Sequence, residues 1–139
     1  MKTTTLLLFF VFGLGITHAQ EKPCQLVVKV KNIKNIKGNL MLGVYNQGEK
    51  FLKKEVVSGD IKIDGNSMTY TFDGLDKGFY AVSIFQDENE NGKLDSNFMG
   101  IPSEPYAFSN NAKGMFGPPS FEDCRFEVFG ERHEIVINL

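Results

Sequence analysis

Phe79-Tyr80-Ala81-Val82-Ser83-Ile84-Phe85-Gln86 runs without a break into Asp87-Glu88-Asn89-Glu90-Asn91-Gly92-Lys93-Leu94-Asp95. In the first half, Tyr80, Val82 and Ile84 alternate with Ala81, Ser83 and Phe85. Period two in a run of aromatic and β-branched residues predicts a strand. The second half is a turn-rich acidic loop with no apolar period. Moving outward, Asp73-Gly74-Leu75-Asp76-Lys77-Gly78 is a turn. Before it, Met68, Tyr70 and Phe72 alternate with Thr69 and Thr71 as a second strand.

The same period recurs upstream and downstream. Leu26, Val28 and Val30 alternate with Val27, Lys29 and Lys31, and after the turn Asn35-Ile36-Lys37-Gly38 the alternation resumes with Leu40, Leu42 and Val44. Val56-Val57 and Ile61–Ile63 suggest a shorter strand or pair, whereas residues 49–54 fit either one helical turn or an edge segment. Residues 125–129 and 134–139 read as two closing strands. Past residue 19 no stretch holds a 3.6-residue apolar stripe. The expected fold is all-β, an antiparallel β-sandwich of about seven strands with one long ordered loop. The chain has no Trp, which excludes an antibody-type Cys…Trp…Cys core. The pattern Phe72-x-x-Leu75-x-x-Gly78-x-Tyr80-x-Val82 resembles the strand–turn–strand of transthyretin-like and carboxypeptidase-regulatory-like sandwich domains. That resemblance implies an Ig-like arrangement and an accessory or adhesive role.

The first residues have a different character. Met1-Lys2 precedes an apolar run from Leu6 to Ile16, and Thr17-His18-Ala19 follows with small residues at its first and third positions. This is the order of a secretory signal peptide. The run is shorter than the ~20 residues that cross a bilayer. The expected organisation is a cleaved signal peptide over 1–19 and a single domain over 20–139, exported to the periplasm or the exterior. Cleavage removes Lys2 and no acid, so the net charge falls from −2 to −3. Lysines are scattered among apolar residues without forming a basic patch, which argues against nucleic acid as a partner. The mature chain has no segment long enough to span a membrane. Cys24 and Cys124 are the only cysteines, and in an exported chain an even count predicts a disulfide between them.

The acidic loop carries the chemistry. Asp87, Asn89 and Asn91 place oxygen-bearing side chains at alternate positions, Gly92 takes the sharp turn, and Asp95 falls at the ninth place. Calcium takes six to eight oxygens from carboxylates, amides, backbone carbonyls and water. Asp87, Asn89, Asn91, the Lys93 carbonyl and Asp95 are therefore candidate ligands, with Glu88 and Glu90 pointing outward. An EF-hand has a bidentate Glu at position twelve; here Phe98 stands there, and the loop follows a strand. The missing acid must come from elsewhere, with Glu104 or Asn97 nearest. So few carboxylates predict an affinity in the range of about 10⁻⁴–10⁻³ M. A plain hairpin needs only Asn91-Gly92 and not the spaced acids.

Residues 96–124 form a connection too long to be passive. Phe98, Tyr106, Phe108, Phe116 and Phe121 carry too much apolar area for a solvated linker. Most of these rings are expected to form a small satellite core under the loop. Tyr106, Asn110 and Asn111 are expected to be the exposed contacts for a protein or glycan ligand. Pro118-Pro119-Ser120-Phe121-Glu122 suggests a short helical turn capped by Ser120.

Four blocks carry a fuller resemblance: Asp87-x-Asn89-x-Asn91-Gly92-Lys93-Leu94-Asp95, Gly100-Ile101-Pro102-x-Glu104, Tyr106-x-Phe108-Ser109-Asn110-Asn111-Ala112, and Gly117-Pro118-Pro119-Ser120-Phe121-Glu122-Asp123. Together they resemble the DUF2141 family of exported bacterial proteins. The resemblance implies export and one small β-domain, and no activity. Family members often have His directly before the first Asp of the loop, where this chain has Gln86.

The reading that follows is a secreted, calcium-stabilised binding or accessory module, not an enzyme. Two alternatives remain open. A glycan hydrolase could use Asp87, Glu104 or Asp123 as paired carboxylates. No His-based triad supports it, because His133 is the only mature histidine and reads as an exposed surface residue. A small-ligand carrier would need a sizeable apolar cavity.

Overall fold

A computed structural model describes residues 22–139. The expected signal peptide, residues 1–19, lies outside the described residues. Two sheets face each other. The first has three strands in the order β4-β1-β8: β1 (Cys24–Lys31), β4 (Met68–Leu75) and β8 (Arg132–Asn138). The second has the order β3-β2-β5-β6, with β7 also on β5: β2 (Asn39–Tyr45), β3 (Val57–Lys62), β5 (Gly78–Asp87), β6 (Tyr106–Phe108) and β7 (Phe126–Val128). This is the expected all-β, sandwich-like fold, with eight strands.

The alternation seen in the sequence sets the packing. Leu26, Val28 and Val30 of β1 meet Leu40, Leu42 and Val44 of β2 and Tyr80, Val82 and Ile84 of β5 in one buried cluster, which Phe72, Val128 and Ile137 close. Each fully buried aliphatic side chain there stabilises by about 1.5–3 kcal/mol. Not every pair is antiparallel. β8 runs parallel to β1, with Leu26 beside His133 and Val30 beside Ile137. The last strand therefore closes the small sheet next to the first, a long-range pairing that local period cannot reveal. Residues 49–54 resolve into a 3-10 turn at Gly48–Lys50 followed by Phe51, which packs inward.

A second, smaller cluster lies on the outer face of the larger sheet. Tyr45, Phe51, Ala81, Phe108 and Cys124 are buried there, with Phe121 against them. Phe51 meets Tyr45 edge-on at 5.2 Å and Phe121 at 5.8 Å. This is the expected satellite core, but of the five rings of the long segment only Phe108 and Phe121 enter it. Phe98 and Phe116 are almost wholly exposed. The short helix α1 (Phe121–Cys124) is capped as the sequence suggests: Ser120 and Asp123 form a reciprocal capping box. Among the described residues, no helix is long and apolar enough to cross a membrane.

The expected disulfide is not formed in this structure. Cys24 and Cys124 are both buried free thiols, Cys24 in the main core and Cys124 in the satellite cluster. Burial, and then the charge of Asp123, push the Cys124 thiol up to about 11.

Candidate metal centre

β5 is the inner strand that delivers the loop. It pairs with β2 through Asn39 opposite Asp87, and with β6 through Phe85 opposite Tyr106. Residues 88–105 are thus the connection between two neighbouring antiparallel strands. At its entry, Gln86 is fully buried and its Nε2 donates to the carbonyls of Asn35 and Lys37 at 2.8 and 2.9 Å. Gly38 follows that turn with φ +70°, pressed against the Asp87 carbonyl so closely that no Cβ fits. The β1–β2 turn is therefore the floor on which Asp87 sits.

The loop winds around the buried Asp87 carboxylate. Its Oδ1 accepts the Asn91 amide at 3.1 Å and its Oδ2 accepts the Gly92 amide at 2.7 Å. Asn89 and Asn91 each accept an amide two residues on, from Asn91 and Lys93, at 3.2 and 2.9 Å. Such local bonds are the turn habit of Asn. Glu90 and Gly92 both take positive φ, at 60° and 78°. The carboxamides of Asn89 and Asn91 then converge on Asp95: Asn89 donates to Oδ2 at 2.6 Å, and Asn91 to both oxygens at 3.1 Å. Asp87, Asn89, Asn91 and Asp95 are one hydrogen-bonded unit. Lys93 is exposed and joins it through its backbone amide.

Glu104 belongs to the same unit, through a different contact from the one the sequence suggests. It is buried, its Oε1 accepts the Glu88 amide and its Oε2 accepts the Asp95 amide, each at 2.9 Å. It clamps the two ends of the loop. Asn97 does not reach the loop; its Oδ1 takes the amides of Met99 and Ile101 instead.

The charges divide sharply. The outward acids have cations: Glu88 pairs with Lys37 at 2.8 Å, and Glu90 pairs with Lys62. The Lys37 contact, followed by the Asn35 hydrogen bond, holds the Glu88 carboxyl below its ordinary range. Asp87, Asp95 and Glu104 have no Lys or Arg partner among the described residues. Nor do three His, Cys, Asp or Glu side chains converge at metal-binding distance there. An ion at this loop must draw on Asn oxygens and backbone carbonyls as well as acids. Carboxylate oxygens that accept one amide keep a further lone pair, and each Asn can present its oxygen by turning its carboxamide. The donor set fits a hard, oxygen-seeking cation of modest affinity.

The three residues expected as ligand contacts divide in the same way. Tyr106 is 45% exposed and borders a cavity of about 530 Å³ with Phe108, Asn111, Lys113 and Pro119. Asn110 is tied down, its Nδ2 donating to the carbonyls of Asp123 and Arg125. Asn111 ties the segment to β8 by accepting from the Asn138 amide at 2.8 Å. Both take positive φ, which Asn tolerates. Among the described residues, no carboxylate side chain lines this cavity. Asp123, read as a candidate acid, is engaged in the cap of α1.

His133 was expected to be a plain surface residue. It is half-buried, stacked on Phe126 at 5.6 Å and met edge-on by Phe129 at 5.3 Å. Both rings precede it by fewer than ten residues, across the turn between β7 and β8.

No curated protein and no solved structure matches this chain. The profile of a family described as "uncharacterized protein conserved in bacteria (DUF2141)" matches residues 28–136, from β1 through β8. The chain belongs to the DUF2141 family.

Proposed function

We propose that this protein is an exported β-sandwich accessory module that takes up calcium in the loop Asp87–Asp95 and presents the ordered segment behind it to a protein or glycan ligand. The observation that carries the reading is the division of charge. Glu88 and Glu90 have lysine partners, while Asp87, Asp95 and Glu104 gather around one loop with none. A bound cation would supply the positive partner that these three carboxylates lack. Calcium suits the site better than magnesium, because magnesium tolerates irregular all-protein cages poorly. The ligand surface is the cavity beside Tyr106, where an exposed ring and the Lys113 side chain stand over Phe108 and Pro119.

Thermal unfolding tests the ion. Millimolar calcium raises Tm, as it must for anything that binds only the folded chain. The rise disappears in Asp87→Ala and Asp95→Ala. A Tm that ignores calcium overturns the ion reading. The ligand surface is tested separately on a glycan array with Tyr106→Ala, which keeps the parent Tm and loses whatever binding the parent shows.

A further inference from the structure

At the end of the sandwich where β1 and β8 finish together, the Leu139 amide donates to the Lys31 carbonyl at 2.9 Å. Gln86 lies at this end of β5. It continues the inward face of Tyr80, Val82 and Ile84 and stands opposite Leu40 of β2. Period two asks for an apolar side chain there. The amide found instead is wholly buried, and only half of it is satisfied. Its Nε2 donates to the carbonyls of Asn35 and Lys37, whereas its Oε1 has no hydrogen-bond partner. Turning the carboxamide over repairs nothing, because the oxygen would then face two carbonyls. A buried acceptor without a donor is costly, so this atom marks a place where a donor belongs.

Gln86 also walls a cavity of about 160 Å³, together with Asn32, Lys34, Asn35, Pro105 and Leu139. That is many times the ~15 Å³ that seats one water. Asn35 gives its carboxamide nitrogen to Glu88, which leaves its oxygen as a second acceptor. Glu88 itself is held by Lys37 at 2.8 Å. Lys34 is exposed and has no carboxylate partner among the described residues. Among the described residues no carboxylate side chain lines this cavity. It therefore offers a buried acceptor on one wall and an unpaired cation on another. We infer that the cavity binds a small carboxylic acid with a hydrogen-donating amino or hydroxyl group on the carbon next to the carboxylate. The carboxylate meets Lys34 and the donor meets Gln86 Oε1. A ligand with only one of these groups leaves either the lysine or the buried oxygen unmet. The inference needs neither an ion at Asp87–Asp95 nor a ligand beside Tyr106.

L-Alanine, L-lactate and propionate share one carbon skeleton. They differ in the group beside the carboxylate: ammonium, hydroxyl or hydrogen. Each is titrated as its sodium salt or zwitterion into the full chain at neutral pH. The readout is the side-chain amide signal of Gln86 by NMR, assigned through its backbone. L-Alanine or L-lactate is expected to move that signal and to saturate, and the tighter of the two identifies the donor as amino or hydroxyl. Propionate is expected to bind at least tenfold more weakly, because it leaves Oε1 unpaired. Lys34→Gln, at an exposed position, is expected to keep the parent Tm and to weaken the tighter ligand at least fivefold. Propionate that binds as well as the other two overturns the inference. So does a Gln86 signal that none of the three moves, since water then meets Oε1. An affinity unchanged in Lys34→Gln also overturns it.

Discussion

Glu104 donates nothing and accepts twice: one carboxylate oxygen takes the Asp95 amide at 2.9 Å and the other takes the Glu88 amide at the same distance. One side chain thus joins the ion-type loop to the segment that follows it. Removing it leaves two buried or half-buried amides without acceptors. Hydrogen bonds to charged groups contribute about 1.5–3 kcal/mol each. Both bonds are only part-buried, so Glu104→Ala is expected to destabilise the fold by less than their full sum, about 2–4 kcal/mol in urea unfolding, and Glu104→Gln by less, because the amide keeps one acceptor oxygen. An unchanged midpoint for Glu104→Ala would show that the loop and the sandwich unfold independently.

Gly38 and Gly92 separate two costs of losing a glycine. Both have positive φ, at 70° and 78°, but only Gly38 is pressed against the backbone of Asp87 and Glu88; nothing stands near Gly92. Gly92→Ala is expected to cost about 1–2 kcal/mol, from backbone conformation alone. Gly38→Ala adds a clash with the floor of the loop and should cost clearly more. Equal midpoints for the two variants would refute the contact between the β1–β2 turn and Asp87.

Stability should fall in alkali. The Cys124 thiol ionises near 9.0 when unfolded and at about 11 when folded. A group whose folded pKa is raised stabilises fully below the unfolded value, and that contribution is lost as pH rises between the two. The loss approaches about 2–3 kcal/mol over that window. Tyr80 is raised in the same direction by burial, then by Asp76 and Cys24, and steepens the upper end. Urea midpoints between pH 8 and 11 measure the limb, and Cys124→Ala should flatten it.

Both thiols are buried and free, so an aromatic disulfide reagent should find neither in the native protein and both once guanidinium unfolds the chain. Thiols that stay absent after unfolding would restore the bridge expected of an exported chain.

The sandwich was legible because its core strands alternate. Leu26, Val28 and Val30, or Tyr80, Val82 and Ile84, announce a buried face whatever they pair with. β6 was not legible: Tyr106-Ala107-Phe108 is three residues long and is a strand only because β5 lies beside it. The parallel β1–β8 pair depends on partners about a hundred residues apart in sequence. The loop was legible as a unit, since Asx-type turns are local and Asn89, Asn91 and Asp95 lie close in sequence. The role of Glu104 was only half legible. Its nearness suggested an ion ligand, but spacing cannot show which hydrogen bonds a carboxylate already makes. The rings of residues 96–124 misled for a related reason. Aromatic content predicted burial, yet the glycines at 100, 114 and 117 build tight turns that hold Phe98 and Phe116 outward.

Isothermal titration of calcium into the parent protein and into Asp95→Asn tests the central claim most directly. One calcium is expected to bind the parent with a Kd of about 10⁻⁴–10⁻³ M. Asp95→Asn keeps the size of the side chain but loses its charge, and should weaken binding at least tenfold. Heats no greater than dilution in the parent, or identical isotherms for the two proteins, would contradict it.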